Sequence, residues 1–161
     1  QSHDLNLLGE KLKTFSMNEV PYSLLDRAYE GKSLRLCKNA DIPYMAFSPT
    51  AQGLLAKPMN QEDLAMPTRI HHFLYQDSVY SHAKKVWETV CHIAKELGRK
   101  PVEVALAWVL TRDNIFTAIV GSRKPEQVQE FAKSTELKLS PSQLQRLTTA
   151  SDQFPMVKKG H

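Results

Sequence analysis

Apolar residues recur along this chain with the spacing of amphipathic helices in some segments and as short unbroken runs in others. Leu5, Leu8 and Leu12 share one face of a helix predicted over residues 4–13. Similar reasoning predicts helices over residues 32–39 and 79–97, and helices that begin at Pro101, Pro125 and Pro141. Short apolar runs predict strands over residues 17–20, 43–47 and 116–120.

Two helix boundaries carry additional signals. Gly98 follows the longest apolar stripe, which predicts that the helix ends there in a left-handed residue. Ser140 and Gln143 have the spacing of a capping box, which predicts the start of the last helix. Residues 48–73 have four prolines or glycines and little periodicity, and we expect a loop there; long loops are more often functional or mobile.

The order of the elements is one helix followed by three strand–helix units. This order predicts an α/β fold with a parallel sheet, in a single domain over residues 1–161. A complete (β/α)8 barrel needs about 250 residues, with about 200 as a lower limit. A chain of 161 residues with three predicted strands is too short to close such a barrel.

The composition changes this picture little. Hydrophobic residues make up 42% and charged residues 24% of the chain, which excludes a disordered polypeptide. The formal net charge is +4, but basic and acidic residues are interleaved, so we expect a small anionic ligand rather than nucleic acid. We find neither a membrane span nor a signal-peptide pattern, and we expect a cytoplasmic protein with free thiols at Cys37 and Cys91.

The histidines do not predict a metal site. His71 and His72 are adjacent and point apart in any extended segment, while His82 and His92 lie ten residues apart on one predicted helix. Neither pair has a cysteine or carboxylate at a spacing that completes a ligand set. We therefore expect no bound metal.

The strongest candidate for chemistry is the turn at residues 121–127, between a predicted strand and a predicted helix. Gly121 allows close approach to the backbone, and a helix start presents free N–H groups and the positive end of the helix dipole. Ser122 adds a hydroxyl group, and Arg123 adds a guanidinium suited to phosphate oxygens. These residues indicate an anion site; an ordinary turn with a surface arginine is the alternative.

Two further segments follow predicted strands. Residues 47–55 leave a strand at its C-terminal end, where barrel active sites are built, and offer Phe47 for stacking and Ser48 and Thr50 for hydrogen bonds. From the residues alone, a core phenylalanine followed by a plain turn is the favoured interpretation. In residues 20–27, Asp26 and Arg27 are interpreted as a structural pair or a network that fixes the loop, with a catalytic Asp26 as the less favoured alternative.

Four segments, in this order, resemble the C-terminal half of the aldo/keto reductase family. VPYSLLDR is similar to that family's sixth barrel strand, and FSPTAQGLLAK is similar to its seventh strand and pyrophosphate loop. IAKELGRKPVEVALAWVL resembles its penultimate helical region, and TAIVGSRKPEQVQE its eighth strand and the turn that holds the 2′-phosphate of NADP. The resemblance implies a partial TIM (β/α)8 barrel, made of about strands 6 to 8 with flanking helices.

The resemblance also implies NADP(H) as the cofactor and, in the complete protein, reduction of aldehydes or ketones. Carried over by position, Phe47 would stack on the nicotinamide, and the pyrophosphate would lie along Ser48, Thr50, Gly53 and Leu54. The 2′-phosphate would be held by Gly121, Ser122 and Arg123 with Gln127 beside them, and Glu130 would face the adenine amino group.

Some of the family's pattern is missing from this sequence. Its catalytic Asp, Tyr, Lys and His come from the first four strands, and none of the four is assigned here. Glu19 stands where the family usually has a Gln that hydrogen-bonds the carboxamide of the nicotinamide. A carboxylate cannot donate a hydrogen bond to the carbonyl of that carboxamide. Phe131 stands where an Asn usually helps to bind adenine, and LLAK is one residue shorter than the usual LLTGK.

Two interpretations follow from this pattern. In the first, the chain is the NADP(H)-binding part of an aldo/keto reductase-type oxidoreductase and is inactive alone. In the second, it is a truncated, non-catalytic relative that acts as a nucleotide-binding or regulatory interaction module. Under both, three parallel strands leave two sheet edges unpaired, so we expect the chain to associate with itself or with a complementing polypeptide.

Overall fold

A computed structural model describes residues 2–59 and 61–155. The helices are α1 (Ser2–Leu8), α2 (Lys32–Asn39), α3 (Gln61–Leu64), α4 (Pro67–Ile70), α5 (Asp77–Leu97), α6 (Pro101–Leu110), α7 (Pro125–Lys133) and α8 (Pro141–Asp152). The strands are β1 (Asn18–Pro21), β2 (Tyr44–Phe47) and β3 (Ile115–Ile119). The predicted order of one helix and three strand–helix units is therefore confirmed.

The three strands form one parallel sheet in the order β1-β2-β3. Val20 pairs with Ala46, which pairs in turn with Ala118, and the register shifts between Tyr44 and Met45. Val20, Tyr44 and Ala46 are fully buried. Because consecutive strands run parallel, each connection must cross over the sheet, and α2 and the α5–α6 pair lie in these two connections.

Apart from shifts of one or two residues at the ends of the three strands and of α5, two predicted elements differ from the structure. The helix predicted over residues 4–13 is α1 followed by a 3-10 segment, Gly9–Thr14, because Gly9 has a φ of +51° that an α-helix cannot include. The loop predicted over residues 48–73 contains α3 and α4, each a single turn, and Pro67 opens the second of them. The connection therefore folds back on itself.

The core lies where α5, α6 and α8 pack together beside the sheet. α6 is buried at every residue from 102 to 109, which is the pattern of a helix enclosed by protein. α5 packs against both α6 and α8, and it ends at Gly98, whose φ is +61°. Ser140 accepts a hydrogen bond from the Gln143 N–H, so the predicted capping box is confirmed.

Apolar side chains are exposed at one edge of the sheet. Within the described part of the chain, β1 and β3 are edge strands, each paired on one side only. Phe116 and Ile119 of β3 are 68% and 43% exposed, and Val128 of α7 is 55% exposed. A free parallel edge with exposed apolar neighbours is a typical site of association.

Candidate functional site

The segments that follow the three strands begin at the same edge of the sheet. Pro21 pairs with Phe47, and Phe47 pairs with Ile119, so the strands end almost level with one another. The loop after β2 and the turn before α7 are therefore neighbours. The sheet thus brings together the two segments that the sequence identified as candidate binding segments, at the edge where parallel α/β sheets bind their ligands.

The loop after β2 is a tight sequence of turns in which the backbone bonds to itself. The N–H of Ala51 donates to the Ser48 carbonyl at 2.9 Å, and those of Gly53 and Leu55 donate to the Thr50 carbonyl at 3.1 Å. The Gln52 amide nitrogen donates to the Ser48 hydroxyl at 2.9 Å. Leu54 is 3% exposed, so its side chain lies in the core and only its backbone can border a ligand.

Positive φ angles are concentrated in this loop. Ser48, Ala51 and Gln52 have φ of +51°, +51° and +58°, and Gly53 has φ of +95°. A left-handed conformation costs a non-glycine residue roughly 1–2 kcal/mol. Such strain persists where surrounding structure enforces it, and it clusters at ligand-binding segments. The loop after β2 is therefore a strong structural candidate for a binding segment.

The turn before α7 presents its side chains to solvent. Gly121, Ser122, Arg123 and Lys124 are all exposed, and the two cations stand at the positive end of the α7 dipole. The Gln127 carboxamide oxygen accepts from the Arg123 N–H at 2.7 Å and from the Lys124 N–H at 3.1 Å. Gln127 thus caps the helix itself, so an anion here would be met first by the side chains of Ser122 and Arg123.

The predicted adenine-binding residues lie further along α7. Glu130 forms an ion pair with Lys100, which precedes α6, and its side chain is 25% exposed. Phe131 is half-buried. Glu130 is therefore already bonded within the chain, and an adenine contact would require it to leave or share Lys100.

The loop after β1 is fixed by a buried polar network. Arg27 is 4% exposed, and it donates to Glu30 at 2.6 Å and to Asp152 at 2.6 Å. The Ser151 hydroxyl, 3.3 Å from Arg27, donates to the Leu24 carbonyl at 2.6 Å. The predicted loop-fixing role of Arg27 is therefore confirmed, but its ion-pair partners are Glu30 and Asp152, which no local sequence pattern indicates.

Trp108 of α6 forms the apolar base of this network. The guanidinium groups of Arg27 and Arg112 lie 5.8 Å and 5.1 Å from its ring, and the Tyr22 ring stacks on it at 6.0 Å. Burial, followed by the negative charge of Glu30, raises the pKa of the Tyr22 phenol, so Tyr22 stays protonated and donates to Glu30. Tyr22 is thus a structural donor here.

Sequence reasoning missed a second cluster, Asp63, Arg69 and Tyr75, which lies against the loop after β2. The Tyr75 hydroxyl donates to the Gln52 carbonyl at 2.8 Å, and Arg69 Nη1 bonds Asp63 Oδ1 at 3.2 Å. These residues are six apart along a segment with no helical or strand period. No local pattern could have found them.

Metal chemistry has no support in the described residues. In residues 2–59 and 61–155, histidine, cysteine and carboxylate side chains nowhere form a group of three that could hold an ion. The His72 Nδ1 atom instead accepts from the Leu74 N–H, and Cys37 and Cys91 are free thiols. Among the helices described, none has the length and apolarity to cross a membrane.

Comparison with known proteins identifies the family of this chain. Residues 5–152 match the sequence profile of the aldo/keto reductase family. The chain is 32% identical over 134 residues to the uncharacterized oxidoreductase YrpG of Bacillus subtilis. The aligned region covers 83% of this chain and 39% of YrpG. It is 29% identical over 125 residues to the NADH-specific methylglyoxal reductase of Escherichia coli, covering 76% of this chain and 37% of that enzyme.

A solved structure gives the same result at the level of the fold. The thermostable aldo-keto reductase Tm1743, crystallised with the inhibitor epalrestat, superposes with a TM-score of 0.61 at 21% identity. The match covers 88% of this chain and 43% of Tm1743, and the chain spans about two fifths of the length of the two curated relatives. Since the family profile covers nearly all of the described residues, this chain belongs to the aldo/keto reductase family.

Proposed function

We propose that this chain is the NADP(H)-binding part of an aldo/keto reductase-type oxidoreductase, whose complete form reduces aldehydes or ketones with NADPH. Residues 1–161 form one cytoplasmic domain, and β1, β2 and β3 correspond to strands 6 to 8 of the barrel. The observation that carries this proposal is that the strained loop after β2 and the exposed cationic turn before α7 follow paired strands at the same edge of the sheet. One segment suits a pyrophosphate and the other a terminal phosphate.

Different residues contact different parts of the cofactor. Phe47, half-buried at the end of β2, takes the nicotinamide, and the loop of Ser48, Thr50, Gly53 and Leu54 borders the pyrophosphate. Gly121, Ser122 and Arg123, with Gln127, take the 2′-phosphate, and Glu130 takes the adenine amino group. Bound NADPH would supply the hydride for carbonyl reduction.

The described side chains fit this cofactor best at its phosphates. Arg123 is exposed, and its bond to Gln127 uses the backbone N–H, so within residues 2–59 and 61–155 its guanidinium is available for a charge-assisted contact. The adenine has fewer suitable hydrogen-bonding partners, because Glu130 is paired with Lys100 and the Phe131 side chain has no amide. Glu19 is exposed on β1 and would place a carboxylate near the carboxamide. If NADP(H) binds weakly, these differences from the family pattern would favour the non-catalytic alternative.

Arg123→Ala is expected to remove a preference for NADP over NAD. Hydrogen bonds to charged groups contribute roughly 1.5–3 kcal/mol, so the wild-type chain should prefer NADP by about tenfold or more. The affinities of both dinucleotides are measured by fluorescence titration in the wild-type chain and the variant. Arg35→Ala, which removes an exposed arginine from α2, is the matched control and should leave the ratio unchanged.

Equal affinities for NADP and NAD in the wild-type chain would contradict the phosphate assignment. A preference for NAD would instead follow the specificity in the name of the Escherichia coli relative. Loss of the preference in Arg35→Ala as well would show that net charge, rather than the turn before α7, is responsible.

We also propose that the exposed edge at β3 mediates association with a second copy or a complementing polypeptide. Phe116→Lys places a charge on this edge and should shift the chain toward a monomer, because charged side chains block edge pairing. Light scattering at micromolar concentration measures the change. Leu7→Lys, at a 74% exposed leucine of α1, is the control and should leave the assembly unchanged. A stable wild-type monomer would contradict the proposal.

A further inference from the structure

The strained conformation of the loop after β2 must be stabilised by contacts with another segment of the chain. Three of its residues are left-handed without being glycine, and each conformation costs roughly 1–2 kcal/mol. The bonds within the loop involve only its own turns. Strained backbone of this kind persists only when neighbouring groups over-determine it. The support must therefore come from another segment.

Two donors from residues 61–75 converge on one atom of this loop, the Gln52 carbonyl oxygen. The Tyr75 hydroxyl donates to it at 2.8 Å, and Arg69 Nη2 donates at 3.4 Å. Gln52 is one of the left-handed residues, with φ of +58°. The bonded atom therefore belongs to the strained part of the loop, and both bonds hold that peptide in its orientation.

The donors are themselves held in place. Arg69 Nη1 bonds the Asp63 carbonyl at 3.0 Å and Asp63 Oδ1 at 3.2 Å, and the Arg69 guanidinium lies 5.6 Å from the Tyr75 ring. The side chains of Arg69 and Asp63 are 13% and 14% exposed, so this ion pair is shielded from water. Burial is the largest influence on the Tyr75 phenol and raises its pKa, which keeps the hydroxyl protonated as a donor.

The Arg69 side chain also packs closely against Gly53, the glycine of the loop. A Cβ atom built on Gly53 would lie 3.3 Å from Arg69 Nη2, and the φ of +95° at Gly53 is one that other residues rarely adopt. Gly53 thus serves both the backbone turn and the approach of Arg69. Together these contacts make residues 63, 69 and 75 a single clamp on residues 48–55.

We propose that Asp63, Arg69 and Tyr75 are positioning residues that hold the loop after β2 in its dinucleotide-binding shape. This inference rests on the proposed function for the nucleotide, but the clamp itself rests only on the contacts within the chain. Without the clamp, the loop relaxes toward less strained conformations, and the dinucleotide must restore the bound shape at the expense of affinity. Tyr75 acts in this way through the Gln52 carbonyl.

Tyr75→Phe tests the clamp, because it removes one hydroxyl and leaves the ring against Arg69. Two measurements are made on the wild-type chain and the variant: NADP(H) affinity with its dissociation rate, and amide hydrogen exchange. A hydrogen bond worth about 1 kcal/mol corresponds to roughly a fivefold weaker affinity. We expect that loss, together with faster exchange at the amides of Ala51, Gly53, Leu54 and Leu55.

Tyr44→Phe is the matched control. Tyr44 is also buried, and its hydroxyl also donates to a backbone carbonyl, that of Tyr29, at 3.2 Å. This variant should lose a similar hydrogen bond without changing NADP(H) affinity or exchange at residues 51–55. Arg69→Lys, which keeps a cation beside Asp63 but loses the planar fork, should weaken affinity in the same direction as Tyr75→Phe.

The possible results separate this inference from the proposed function. Unchanged affinity in Tyr75→Phe, while the wild-type chain binds NADP(H), would overturn the positioning role. Exchange that rises evenly along the whole chain would also overturn it, since the effect would then be global stability. A wild-type chain that binds no dinucleotide would overturn the proposed function, and exchange at residues 51–55 would still decide whether the clamp exists.

Discussion

Replacing Arg27 with alanine is expected to lower the free energy of unfolding by about 3–5 kcal/mol, because it removes one partner of the largely buried Arg27–Glu30 ion pair. Arg27 is 4% exposed and bonds Glu30, Ser151 and Asp152, so one side chain ties the loop after β1 to the end of α8. It also covers one face of Trp108. Urea unfolding followed by tryptophan fluorescence measures the loss.

Two companion variants make this measurement specific. Lys38→Ala removes the exposed ion pair with Asp113 and should leave the free energy of unfolding nearly unchanged. The double variant Arg27→Met with Glu30→Gln should recover part of the loss, because residue 30 then no longer carries the charge that Arg27 balances. A change below about 1 kcal/mol in Arg27→Ala would show that water enters the network and compensates.

The same network predicts an acid-dependent loss of stability. Burial alone would raise the pKa of Glu30, but hydrogen bonds from Arg27 and Tyr22 and the charges of Arg27 and Arg112 outweigh it, so the pKa lies below its ordinary value. The Glu30 carboxylate therefore stabilises the folded state at pH values above the ordinary glutamate pKa of about 4.3. This contribution to the free energy of unfolding is lost as the pH falls through the lowered pKa of Glu30. The Arg27→Ala variant should show a smaller loss over that range.

Carbonyl reduction by the purified 161-residue chain alone is expected to be absent, even where NADPH binds. The sequence offers no assignable Tyr, Lys, Asp and His set. A positioned acid typically contributes 10²–10⁴-fold, and the orientation of the substrate would be lost with it. NADPH oxidation in the presence of a simple aldehyde is the measurement, with NADPH binding to the same sample as the control for folding.

The outcome distinguishes the two interpretations of this chain. Steady turnover at an ordinary rate, about 1 s⁻¹ or more, would contradict the prediction and show that this chain contains a proton donor. Activity that arises only when a polypeptide with the remaining strands is added would support the reductase interpretation. Binding without activity under both conditions would favour a nucleotide-binding or regulatory module.

Most helices and strands of this protein could be predicted from local sequence, because helix and strand periods and proline, glycine and capping signals act over a few residues. α2 has the predicted bounds of residues 32–39, and the helices predicted from Pro101, Pro125 and Pro141 begin there. The resemblance of four segments similarly identified the family. Where the prediction was less accurate, at residues 9–14 and 61–75, the chain forms helical segments of only one or two turns, which are too short to show a period.

The contacts between distant side chains became known only from the folded structure. Arg27 and Asp152 are 125 residues apart, and Tyr75 reaches Gln52 across 23 residues, so neither contact leaves a local signature. The structure also showed that Gln127 caps α7 and that Glu130 is paired with Lys100, two bonds that a residue-by-residue comparison does not reveal. The reason is that such contacts depend on how the crossover connections return to the sheet, and hydrophobic periodicity fixes only the face that each element buries.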